Sequence, residues 1–167
     1  MEWSKKTTVK KGALGEMIVR QALESKGYIV YEPKTKGAHP FDLLAVKDKR
    51  VFVIAEVKTK ARLNNWEATG INVSHYNDYI HVMEAHNIDV VLCFVDEHPS
   101  EKRVYGQRLS ELIKEHKENG IDYPNFDILK KRNIVMIPLS KMITISNLDD
   151  HTVTNLMELS TRSHDYE

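Results

Sequence analysis

Residues 50–60 read RVFVIAEVKTK. Six of the first eight are apolar, which predicts a strand buried deep in a sheet. Strand side chains alternate between faces. Glu56 and Lys58 therefore share a face with Phe52 and Ile54, and Val51, Val53, Ala55 and Val57 take the other. An ionised Glu in such a strand is costly unless it is paired, bound to a metal or opened to water. Its place near the strand's end predicts that Glu56 and Lys58 sit where a core strand emerges into a cleft.

The preceding segment supplies a partner. FDLLAV (41–46) reads as a strand, KDK (47–49) as a tight polar turn, and the two strands as an antiparallel hairpin. Residue 42 then pairs with a residue near 54–56, which brings Asp42 beside Glu56. Two converging carboxylates repel each other unless a cation lies between them. An oxygen donor set, with few histidines and no suitable cysteine, points to Mg²⁺ or Mn²⁺ rather than zinc.

Upstream, GALGEMIVRQALESK (12–26) has helical periodicity: Leu14, Ile18 and Ala22 form one stripe, widened by Val19 and Leu23. Gly27 is a natural stop. Glu16 lies on the border of the apolar face, and Gly15 beside it permits close approach of helix and sheet.

The remaining chain reads as YIVYE (28–32), a short strand; PKTKGAHP (33–40), a loop; an irregular stretch over 60–73; and a helix over 74–86 capped by Ser74. DVVLCFV (89–95) is a strand that follows a helix, hence parallel to a neighbour. Another amphipathic helix covers 106–118, and NIVMIPL (133–139) is an edge strand by virtue of Pro138. The order predicts an α/β fold with a mixed sheet of about five strands flanked by helices, in one domain over 1–167. Residues 1–11 are expected to be a flexible basic arm and 150–167 a polar C-terminal tail, frayed or a short helix.

Composition is that of an ordinary globular chain, 41% hydrophobic and 29% charged. No apolar run approaches the roughly 18 residues of a membrane span, and the N-terminus lacks the apolar core of a secretory signal. The single cysteine, Cys93, excludes a disulfide framework and fits a reducing cytoplasm. The net charge of zero hides an asymmetry. Residues 1–62 carry 14 Lys/Arg against 7 Asp/Glu, and residues 63–167 carry 10 against 17. A basic half that contains the unusual strand predicts a polyanion-facing side.

The order of Glu16, then Asp42, then EVK (Glu56–Lys58) resembles the PD-(D/E)xK nuclease superfamily. GALGEMIVRQALESKGYIVYEP, PFDLLAV and RVFVIAEVKTK are closest in style to Holliday-junction resolvases and related restriction-like nucleases. The specific likeness covers about residues 10–62. Pro40 precedes Asp42 by two rather than one, and the helix at 74–86 offers His75, Tyr76 and Asn77 where many relatives carry Gln. The resemblance implies a restriction-endonuclease-like fold and a Mg-dependent endodeoxyribonuclease, acting on branched or junction DNA in repair, recombination or phage and mobile-element DNA processing, as a cytoplasmic homodimer. Asp42, Glu56 and the Val57 carbonyl would ligate the metal, with Glu16 completing the site or supporting it through water. Lys58 would orient the attacking water and offset charge developing at phosphorus. Alternatives are an inactive nuclease-fold module that binds DNA or protein, an RNA-cleaving member of the fold, and a metal-free structural protein.

Lys34, Lys36, Lys60 and Arg62 flank the site in sequence and are read, with Lys10 and Lys11, as phosphate contacts. His39 is a candidate for phosphate or metal-bound water, or a plain loop histidine. Trp66 either stacks on a base or anchors its loop. Tyr76 and Tyr79 are read as core.

Overall fold

The structure, a computed structural model, describes residues 7–34, 41–48, 51–63, 67–98, 100–119, 125–127 and 133–159. Helix α1 (Thr7–Ser25) opens the chain and buries Gly15, Ile18, Val19, Ala22 and Leu23. It ends where Gly27 turns left-handed at φ 85°. The Tyr28 N–H then reaches the Leu23 carbonyl and the Gly27 N–H the Glu24 carbonyl, the paired bonds that close a helix C-terminus.

Strands β1 (Ile29–Tyr31), β2 (Leu43–Lys47) and β3 (Val51–Lys60) follow as an antiparallel meander. Asp48, left-handed at φ 55°, lies in the β2–β3 turn. Then come β4 (Ala68–Asn72), α2 (Val73–His86), β5 (Asp89–Asp96), β6 (Arg103–Arg108), α3 (Leu109–Asn119), β7 (Asn125–Asp127), β8 (Asn133–Pro138), a 3₁₀ turn (Leu139–Lys141), β9 (Ile143–Asn147) and α4 (Asp150–Glu158).

The main sheet has six strands in the order β1-β2-β3-β5-β6-β9, and a three-stranded sheet runs β4-β8-β7. In the main sheet β3 and β5 are parallel and the other neighbours antiparallel, so the sheet is mixed. One apolar cluster unites Val19 and Leu23 of α1 with Leu43, Ala45, Val53, Ala55, Val57, Cys93 and Val95, and with Leu156 of α4. The other unites Ile54, Leu92, Phe94 and Tyr105 with Tyr79 of α2, Leu109 and Leu112 of α3, and Val135 and Ile137 of β8. The alternation predicted for β3 is thus observed: Val53, Ala55 and Val57 face α1, and Ile54 faces the α2 side.

Several expectations need correction. The basic arm expected over 1–11 is helical from Thr7, because Leu14, Ile18 and Ala22 give α1 a packed face that its first turns extend. The stretch 60–73 holds β4, whose central Gly70 has no room for a side chain: an added Cβ would lie 2.6 Å from Ile134. Asn72, not Ser74, precedes α2, and it makes no side-chain cap bond. Residues 106–108 belong to β6, which runs directly into α3.

Strand β8 is central in its sheet rather than at an edge. Pro138 is tolerated because β7 pairs only with 133–135, and β4 alone pairs with Pro138 among the described residues. The polar tail begins as α4, where the Asp149 carboxylate accepts from the Thr152 N–H at 2.7 Å. No described helix is long and apolar enough to cross a membrane.

Candidate functional site

The β2–β3 register decides which side chains meet. Leu43 pairs with Ala55, Leu44 with Ile54 and Ala45 with Val53. The ladder ends at Leu43 and Ala55, one step short of Asp42 and Glu56. The Asp42 Oδ2 accepts a hydrogen bond from the Val57 N–H at 2.7 Å, which fixes the carboxylate against the emerging end of β3.

Glu56 is only 7% exposed. Two donors converge on one of its oxygens. Lys58 Nζ lies 2.5 Å from Oε1, and the Tyr79 hydroxyl donates to the same Oε1 at 2.5 Å. The Lys58 ammonium also lies 5.8 Å from the centroid of the Tyr79 ring. Burial, then the charge and hydrogen bond of Glu56, then the charge of Asp42, hold the Tyr79 phenol well above its ordinary range, so it stays a donor. Burial first, with the charges of Asp42 and Glu56 behind it, pushes the Cys93 thiol up to about 12. Both carboxylates thus act on the same two groups, as expected of acids gathered at one end of the sheet.

Helix α1, which carries Glu16, packs closely on β3. Gly15 lies so close to β3 that a Cβ there would stand 1.7 Å from Thr59 Oγ1. That contact sets the helix directly on the residue after Lys58, and Glu16 is half-buried beside it.

The basic residues divide differently from the sequence reading. Lys10 and Lys34 are exposed. Lys11 Nζ pairs with Glu97 Oε1 at 2.7 Å, and Arg62 Nε with Asp96 Oδ2 at 2.7 Å. Arg62 also lies 3.3 Å from Glu101. Lys60 Nζ bonds the Gly70 carbonyl. Asp96 and Glu97, at 1% and 2% exposure, are carboxylates buried at the C-terminal end of β5, and burial demands partners of them. Lys11 and Arg62 meet that demand from opposite sides of the sheet, so three of the residues read as phosphate contacts are engaged within the protein. Lys36, His39 and Trp66 lie outside the described residues.

Sequence reasoning missed Tyr79 as a site residue. Its signal was present: an inward hydroxyl on a helix stripe needs an acceptor, and the strand beneath carries a buried carboxylate that needs donors. Tyr76 is packed against the α2-side core, as read.

Among the described residues no group of three or more His, Cys, Asp or Glu side chains is assembled as a metal site. The carboxylates of Asp42 and Glu56 and the main-chain carbonyl of Val57 nevertheless offer oxygen donors alone at one strand end. That chemistry suits Mg²⁺ or Mn²⁺.

No family model and no curated protein matches the sequence. Solved structures do. The Holliday junction resolvase Hjc of Archaeoglobus fulgidus matches with a TM-score of 0.55 at 12% identity, over 81% of this chain and 92% of the resolvase. A nuclease from a fusselovirus matches with a TM-score of 0.53 at 13% identity, over 90% of this chain and 92% of that one. With the mixed sheet, the β2–β3 hairpin and the parallel β3–β5 pair, these matches give the chain a restriction-endonuclease-like fold.

Proposed function

We propose that this chain is a metal-dependent endonuclease that hydrolyses phosphodiester bonds in DNA, branched or junction DNA among its substrates. The observation that carries this reading is the meeting of Asp42 with the Glu56–Lys58 pair at the open end of the β2–β3 hairpin. The shared fold of a resolvase and a viral nuclease supports it.

In this reading Asp42, Glu56 and the Val57 carbonyl hold Mg²⁺ or Mn²⁺, and Glu16 completes or supports the site. The ion, when bound, polarises the scissile phosphate and acidifies the attacking water. Lys58 brings a compact positive charge to the charge that develops at phosphorus. The Val57 N–H holds Asp42 in place, and the Gly15–Thr59 contact holds α1 against the strand that carries the site. Each chain contributes one set of these residues, so cutting both strands of a duplex or junction takes a homodimer.

The test is cleavage of supercoiled plasmid, four-way junction, single-stranded DNA and RNA with Mg²⁺ and with EDTA. Mg²⁺-dependent DNA cleavage by the parent, lost in Asp42→Ala and Lys58→Ala while both still fold, supports the reading. Binding without cleavage under Mg²⁺ or Mn²⁺ identifies an inactive module instead, and cleavage of RNA alone identifies the RNA-cleaving alternative.

A further inference from the structure

The pattern of donors around Glu56 has a consequence for how its carboxylate binds. Tyr79 is the one residue that α2 buries, and its hydroxyl reaches down to Glu56 Oε1 at 2.5 Å. Lys58 Nζ occupies the same oxygen at 2.5 Å. A carboxylate whose two donors share one oxygen is fixed in orientation and has its second oxygen left for another partner. The Tyr79 ring carries the Lys58 ammonium 5.8 Å from its centroid, so one side chain restrains both members of the pair.

We infer that Tyr79 is a positioning residue. By holding Oε1 of Glu56, together with Lys58, it orients the carboxylate so that Oε2 serves a divalent cation. This inference rests on the metal-site reading above and adds to it a residue from a different element, α2, that need not touch metal or substrate. Partners of this kind, one bond removed from the ion, typically change metal affinity by about 10–100-fold.

The experiment compares the full chain with Tyr79→Phe and Asp42→Ala by Mn²⁺ titration calorimetry. It is run at a temperature where circular dichroism shows all three folded. Tyr79→Phe keeps the buried ring and deletes only the hydroxyl. Its expected result is Mn²⁺ binding weakened about tenfold or more, with the parent binding far better than Asp42→Ala. In cleavage assays the Tyr79→Phe variant should need correspondingly more Mg²⁺ for half-maximal rate, with the rate at saturating Mg²⁺ within about threefold of the parent. That split distinguishes positioning from general loss of structure, which would lower the saturated rate as well. Equal Mn²⁺ affinity in Tyr79→Phe and the parent overturns the positioning role and leaves the metal site standing. A parent that binds Mn²⁺ no better than Asp42→Ala overturns both.

Discussion

The Asp42 carboxylate accepts a hydrogen bond from the Val57 N–H at 2.7 Å, so the residue that leads into β2 is tied to the residue between Glu56 and Lys58. Asn at position 42 keeps an acceptor for that bond and loses the charge. Asp42→Asn is therefore expected to melt within a few degrees of the parent and to lose about 100-fold or more in Mg²⁺-dependent cleavage. Thermal melting beside a plasmid-nicking assay checks both halves. Full activity in Asp42→Asn would show that the carboxylate's role is purely structural.

Lys58 neutralises a carboxylate whose side chain is 9% exposed, while its own is 29% exposed. Lys58→Met keeps the apolar stem and removes the donor, leaving Glu56 Oε1 with Tyr79 as its described partner. The expected cost is about 1.5–3 kcal/mol, the worth of a hydrogen bond to a charged group. Denaturant unfolding measures it. Lys58→Arg should not restore cleavage, because a planar fork does not replace a compact ammonium on the same oxygen.

Gly15 admits no side chain beside Thr59 without a shift of Thr59 or of α1. Gly15→Ala should cost about 1–3 kcal/mol, as overpacking does, although alanine is the better helix former. Thr59→Ala removes the oxygen that the new methyl would meet at 1.7 Å and leaves the Thr59 Cβ at 3.0 Å. The double variant should therefore recover much of the loss. Additive destabilisation in the double-mutant cycle would rule out this contact as the cause.

Burial lifts the Asp96 carboxyl above its ordinary range, against the opposing pull of the His98 N–H and Arg62. A carboxyl raised in the folded state binds its proton more tightly there than in the unfolded chain. Its stabilising contribution is complete below the ordinary carboxylate value and is lost as pH rises through the raised one. Asp96→Asn removes that dependence. Its melting temperature relative to the parent should climb as pH rises from the ordinary carboxylate value through the raised one. A fall over the same interval would mean that pairing with Arg62 outweighs burial.

The parts of this architecture legible in the chain are those written in local periodicity. The alternation of β3 assigned Val53, Ala55 and Val57 to one face and Ile54, Glu56 and Lys58 to the other. The short turn fixed the register that pairs Leu43 with Ala55, one step from Asp42 and Glu56. The run of apolar residues in β5 marked a strand covered on both faces, and the helix before it pointed to a parallel neighbour, which is β3. Strands β4, β7 and β9 have three to five residues each and lie beside turn-forming or polar neighbours, so their pairing comes from distant partners rather than from their own pattern. Strand β6 passes into α3 without an intervening turn residue, which let the helical period of Leu109 and Leu112 be read back over Gly106. The partners of Lys11 and Arg62 lie 86 and 34 residues away, beyond the reach of any local signal.

Those two pairs alter the meaning of the chain's charge map. Lys11, Lys60 and Arg62 belong to the basic N-terminal portion, yet each is committed to a carboxylate or a carbonyl of the protein itself. A cation paired with a buried carboxylate offers less charge to a polyanion than a free one. Each phosphate contact contributes about 0.9 to the slope of log affinity against log salt on duplex DNA. Two cations paired in this way, Lys11 and Arg62, would flatten that slope by about two. The surplus of positive charge in the first 62 residues is thus in part a folding device, and the field offered to a polyanion is set by exposed residues such as Lys10 and Lys34.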